Sequence, residues 1–295
     1  MWRLPSLWLA LLVGAACTAP ICATHAASPQ THVIAAENVY GNVAAQIGGA
    51  SVTVRSILSN PDQDPHLFEA SPSVARALSH ATMTISNGAG YDPWMDRLLA
   101  ATPKPGRRNI VVARLVGAGP GANPHLWYDP RTMRAFAVAF TAALDAADPA
   151  GKAAHDDGRD RFLASLGTIA AKIAAIRARD SGTPVTATEP VFGLMATRLG
   201  LVMRNPRFQV AVMNDVAPGA SEVAEFERDL RQRRVRLLLY NRQASDSASR
   251  RLLAIARDAA IPVVGVSETE PRGMDYQHWM LSTLDAVGDA LSATP

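Results

Sequence analysis

Short apolar, β-branched runs alternate along the chain with longer segments in which apolar residues recur every three or four positions. The runs at 32–36, 52–58, 82–85 and 110–113 predict strands, and the segments 39–47, 73–79 and 94–101 between them predict helices. Such a strand–helix rhythm implies a mostly parallel sheet with helices on its faces. The middle of the chain breaks the rhythm. Positions 132–146 and 150–178 both carry helical spacing, with Asp148-Pro149 as the break between them. In the second, Phe162, Leu166, Ile169, Ile173 and Ile176 fall on one stripe of a helix roughly 40 Å long at 1.5 Å per residue. Strands are predicted again at 184–187, 201–203, 235–240 and 262–266, with helices at 192–199, 221–234, 247–260 and 276–291. The expected fold class is therefore α/β. Two lobes, each a mostly parallel sheet flanked by helices, are bridged by one long rigid helix. The divisions expected are an N-terminal lobe over 28–147, the linking helix over 148–180 and a C-terminal lobe over 181–295, with no internal repeat in the residues.

Composition adds a compartment. A chain of 295 residues with 48% hydrophobic content buries a large core and is not a disordered or collagen-like chain. Its pI near 9.1 comes from scattered arginines, and the densest segment, Arg231-Gln232-Arg233-Arg234, reads as a solvated helix face, so no nucleic-acid partner is expected. Met1-Trp2-Arg3, the apolar stretch at 7–16 and a small-residue zone behind it read as a secretory signal peptide over 1–27, too short to span a bilayer. A periplasmic location follows. Both cysteines, Cys17 and Cys22, fall inside this leader, so the mature chain is expected to have no disulfide. Lipid anchoring at Cys17 is the alternative, although Gly14 stands where a larger aliphatic residue is usual.

Two histidines share an unusual setting. His66 lies in Asp64-Pro65-His66-Leu67-Phe68 and His125 in Asn123-Pro124-His125-Leu126-Trp127. In each the proline holds the neighbouring backbone extended, and each is predicted to follow a strand, at the sheet edge where α/β proteins bind ligands. Neutral imidazole is the commonest side-chain ligand for a divalent transition metal, and a site needs about four donors converging from separate loops.

Together with Ala36-Glu37-Asn38-Val39-Tyr40-Gly41 and Asn87-Gly88-Ala89-Gly90-Tyr91-Asp92-Pro93-Trp94-Met95, these motifs resemble the zinc/manganese solute-binding proteins of bacterial ABC importers. The resemblance runs over about 33–291. It implies a metal ion held between two lobes by one histidine from each Pro-His loop, a third ligand at the start of the C-terminal lobe and an acidic fourth near the last strand. His66 and His125 match the first two positions. Glu189 stands at the third, where zinc members commonly have histidine. For the fourth, Glu268 lies closest to the strand end and Glu270 is the alternative; the aspartate frequent in the family is missing there. Among other residues, Glu69 is a candidate to orient His66, Tyr91 and Trp94 either line the cleft or pack their helix, and His32, His80, His155 and His278 are expected to be non-ligands.

Two imidazoles with two carboxylates can offer bidentate oxygens and suit manganese, while intrinsic affinity still rises toward zinc. The segment 116–122 also lacks the His- and acid-rich loop common in zinc members, so the expectation is Mn²⁺ with Zn²⁺ possible. The resemblance further implies a monomer that hands its ion to a cognate ABC permease and is not an enzyme. Two other readings stay open: a secreted metal-dependent hydrolase, for which no His-Glu-x-x-His or Gly-x-Ser-x-Gly motif occurs, and a binder of a metal chelate on the same fold.

Overall fold

A computed structural model of the chain describes residues 1–2, 30–244 and 247–293. The leader expected over 1–27, with Cys17 and Cys22, lies outside the described residues apart from its first two. The first half forms a parallel sheet of β1 (Thr31–Glu37), β2 (Val52–Leu58), β3 (Met83–Ser86) and β4 (Arg108–Val111) in the order β2-β1-β3-β4. Helices α1 (Asn38–Gly48), α2 (Pro72–His80) and α3 (Pro93–Ala101) connect its strands, and α4 (Val112–Leu115) and α5 (Pro130–Ala147) follow. The second half repeats the arrangement without repeating the sequence. Its strands β5 (Pro184–Ala187), β6 (Val202–Arg204), β7 (Leu238–Asn241) and β8 (Val263–Val266) are parallel in the order β6-β5-β7-β8. They are joined by α7 (Gly193–Leu199), α8 (Pro206–Met213), α9 (Ala220–Arg231) and α10 (Ser247–Asp258). In each sheet the chain reverses its direction of progress beside the first strand, and the carboxyl ends of the strands at such a reversal are where α/β folds place ligands.

Between the sheets runs α6 (Lys152–Asp180), 29 residues and so about 43 Å long. Phe162, Leu166, Ile169 and Ile176 on its apolar stripe are buried, and the helix packs against α1, α5, α7 and the last helix, α11 (Tyr276–Ser292). One apolar core extends without a break from Val33 in β1 to Leu291 in α11, so α6 is a beam set into both lobes. The last helix, α11, also touches α1 in the first half of the chain. A smaller core of Phe208, Phe226, Leu230, Leu252 and Ile255 lies between the second sheet and α8–α10. Among the described residues no helix is long and apolar enough to cross a membrane.

One local expectation needs correction, and two features were not read from the sequence. The strand read over 110–113 ends at Val111, because Val112 and Ala113 enter α4, an apolar turn that hydrophobicity cannot distinguish from a strand. The eight residues of α8 were not anticipated; Pro206 at its first turn follows Asn205 in the left-handed region at φ 55°. His155 is fully buried. Its Nδ1 meets Asp145 Oδ1 at 2.9 Å, clasping the start of α6 to the end of α5.

The approach of α6 to α1 depends on Gly158, where a Cβ would run into the carbonyl group of Ile47. Backbone cannot yield as a side-chain tip can, so Gly158→Ala is expected to lower unfolding free energy by about 1–3 kcal/mol, even though alanine has the better helix propensity. Urea denaturation checks this; an unchanged or raised midpoint would contradict the close crossing.

Candidate metal centre

Both Pro-His motifs are Asx turns. Asp64 Oδ1 accepts the backbone N–H of His66 at 2.8 Å, and Asn123 Oδ1 accepts that of His125 at 3.0 Å. In each case the proline fixes φ and the Asx side chain closes the turn two residues on, so an Asx-Pro-His triplet aims its imidazole by local chemistry alone. Asn123 goes further, with its Oδ1 2.8 Å from His125 Nδ1. That bond places a proton on Nδ1 and turns Nε2 into the cleft, the arrangement by which ligating histidines are usually oriented.

The two Nε2 atoms converge on one oxygen. Glu268 Oε2 lies 3.2 Å from His66 Nε2, 3.2 Å from His125 Nε2 and 3.0 Å from the Tyr91 hydroxyl that donates to it. His66, His125 and Glu268 can each contribute an atom to a group whose members all lie within 4.8 Å of one another. His125 and Glu268 are fully buried, whereas the His66 side chain retains 24% exposure. Burial alone would raise the Glu268 carboxyl, but the hydrogen bonds and charges of His125 and His66 outweigh it and hold the group well below the ordinary carboxylate range. Burial likewise works against a charged His66, and the bond to Glu268 overrides it, lifting the imidazole to about 9.

Glu189 stands outside this tight group. It is 2% exposed, its Oε2 accepts from Asn241 Nδ2 at 3.2 Å, and its Oε1 is buried without a partner. Burial, reinforced by the negative charge of Glu268, pushes its carboxyl up to about 8. Asn241 Nδ2 also donates to Glu268 Oε1 at 2.6 Å, so one amide joins the two carboxylates. His66 and Glu189 line a common cavity of about 730 Å³ with Asp64, Asp215, Met213 and Gln243.

The remaining candidates separate. Glu270 is tied to the other side of its loop: its N–H donates to Asn38 Oδ1 at 3.0 Å and its carbonyl accepts from Asn38 Nδ2 at 2.8 Å. Glu69 is exposed, and the residue that shapes the His66 turn is Asp64. Tyr91 lines the centre, while Trp94 packs on Phe68 with ring centroids 4.7 Å apart. Sequence reasoning missed Asn123, Asn241 and Gln243. The first could have been found from the repeated Asx-Pro-His triplet, and the second from the polar residue that ends the apolar strand Leu238-Leu239-Tyr240-Asn241.

Residues 33–290 match the family described as zinc-uptake complex component A, periplasmic. The chain belongs to this family. A metal ABC transporter substrate-binding lipoprotein, ScbA of Streptococcus cristatus, is 21% identical over 97% of either chain. The manganese-binding lipoprotein MntA of Halalkalibacterium halodurans is 25% identical over 160 residues, about half of each protein at 52%. Among solved structures, the periplasmic zinc-binding protein TroA of Treponema pallidum superposes with a TM-score of 0.74 at 15% identity, over 90% of this chain and 100% of that one. The two-lobed α/β fold with its long helix is that of this family.

The raised His66 value fixes a pH signature. The folded protein binds this proton more tightly than the unfolded chain, so the His66–Glu268 pair contributes stability that is fully present below the unfolded value near 6.5 and is lost as pH rises through about 9. In the presence of a chelator, His66→Gln is expected to lower Tm at pH 6 and to match the parent at pH 9.5. Thermal melts across this range test it, and an equal loss at both ends would contradict the pairing.

Proposed function

We propose that this chain is an extracytoplasmic solute-binding protein that captures one divalent transition-metal ion in the cleft between its lobes and delivers it to an ABC permease. The observation that carries the reading is the convergence of His66 Nε2 and His125 Nε2 on Glu268 Oε2, with an unpartnered oxygen of Glu189 buried nearby. Two imidazoles and two carboxylates suit both zinc and manganese. Relatives named for each metal support the same range: MntA is called manganese-binding and TroA zinc-binding.

The ion reaches the donors through the 730 Å³ cavity, past Asp64 and Asp215, and His66 is the ligand it meets first because His66 alone of the four keeps appreciable exposure. Binding without turnover fits the electrostatics. A hydrolytic site needs an open coordination position and a free base, and Glu268 has donors on both oxygens and is held ionised by two histidines. A beam set into both lobes favours small adjustments over a wide hinge. Export to the periplasm by the leader over 1–27 completes the reading, with a lipid anchor at Cys17, as in relatives called lipoproteins, kept as the alternative.

Metal-free protein mixed with Zn²⁺ or Mn²⁺ at about 100 times the dissociation constant is expected to gain about 2.7 kcal/mol of stability. His66→Ala combined with His125→Ala is expected to abolish the gain. Because His66 and Glu189 hold protons at pH 7, with values of about 9 and about 8, the ion displaces them and affinity weakens as pH falls below that range. Calorimetry in buffers of different ionisation enthalpy reads the release. No thermal gain with either metal, or a gain that survives in the double variant, would refute the reading.

A further inference from the structure

The topology of the second sheet sets Asn241 between two carboxylates. Strand β7 has β5 on one side and β8 on the other; Ala187 pairs with Leu239 and Val266 with Asn241. Glu189 follows two residues after Ala187, and Glu268 two after Val266, so the last residue of β7 separates the two acids by construction. Its orientation is fixed by two bonds. The Asn241 N–H donates to Thr188 Oγ1 at 3.1 Å, and Asn241 Oδ1 accepts the N–H of Gln243 at 3.0 Å. With the carbonyl oxygen committed to an N–H, the amide must turn its NH₂ toward the acids, and its two hydrogens go one to Glu189 Oε2 and one to Glu268 Oε1.

An amide cannot give up its N–H protons to an incoming ion, so each oxygen it holds stays occupied, whereas the imidazoles facing Glu268 Oε2 exchange protons for the ion and the Tyr91 hydroxyl can turn aside. Each carboxylate keeps one other oxygen: Glu268 Oε2, on which both histidines converge, and Glu189 Oε1, buried without a partner. The protein therefore presents four single donor atoms, two nitrogens and two oxygens. We propose that Asn241 determines metal specificity by blocking bidentate coordination from Glu189 and Glu268, which favours zinc over manganese. Zinc is satisfied by four ligands, whereas manganese is at home in higher-coordinate, oxygen-rich sites. The expectation of manganese from the sequence assumed that both carboxylates could offer two oxygens, and the Asn241 amide removes that assumption. This inference rests on the metal-binding reading above.

The test compares Zn²⁺ and Mn²⁺ dissociation constants, by competition with a chromophoric chelator, for the parent, Asn241→Ala and Asn241→Leu. The proposal expects the ratio of manganese to zinc constants to fall by about tenfold or more in both variants, the range over which outer-sphere partners tune metal sites. Zinc K-edge absorption of the parent should show four nitrogen or oxygen neighbours near 2.0 Å, a measurement that needs no variant to fold. An unchanged ratio, an equal weakening for both metals, or a five- or six-coordinate zinc in the parent would overturn the role given to Asn241. If the parent binds neither metal, the metal-binding reading itself fails; if it binds both and only the ratio refuses to move, that reading stands and this inference falls.

Discussion

The cleft is organised by a carboxylate that is buried and nevertheless ionised. A lone charge in the interior is strongly disfavoured, and the protein offsets that cost with donors on both oxygens of Glu268: the imidazoles of His66 and His125 and the Tyr91 hydroxyl on one, the Asn241 amide on the other. Each donor comes from a different segment. The charge consequently acts as a knot that ties the two Pro-His loops, the turn after β3 and the end of β7 to the loop after β8. A divalent ion is the natural competitor for the lone pairs so gathered.

The scaffold explains how this knot keeps its geometry. Although Glu268 follows a strand of the second sheet, its loop is fastened to the first lobe. Tyr128 donates to the Ser267 carbonyl at 2.8 Å, and Asn38 brackets the backbone of Glu270. Further ties cross the cleft in the opposite sense. Asn123, which orients His125, donates to the carbonyl of Pro190 at 2.7 Å, next to Glu189; Gln243 accepts the Glu268 N–H at 2.6 Å and reaches the Gln63 carbonyl at 2.8 Å. With α6 set into the apolar core of both lobes, these bonds leave little freedom for the donors to drift apart.

Much of this was legible in the residues because it is local. Strand and helix periods placed nearly every element, and the stripe from Phe162 to Ile176 announced the long helix. The matching Pro-His-Leu-aromatic contexts marked the two histidines because proline acts on its immediate neighbours, while the Asx residue that closes each turn was passed over. What stayed hidden is what the sheet order decides. Nothing in the sequence says that β7 lies between β5 and β8, so nothing revealed that Asn241 would stand between Glu189 and Glu268. Glu268 and Glu270, two residues apart on one loop, could not be told apart by spacing; in the fold Glu268 meets both histidines, and Asn38 holds the backbone of Glu270.

The central claim is that the ion takes the place where these donors meet. Crystals of the protein loaded with zinc, measured on either side of the zinc absorption edge, test this directly. The account predicts a single strong anomalous peak at about 2.0–2.2 Å from His66 Nε2, His125 Nε2 and Glu268 Oε2, with Glu189 supplying the fourth donor. A peak elsewhere on the molecule, or none in protein that retains its metal, would contradict it.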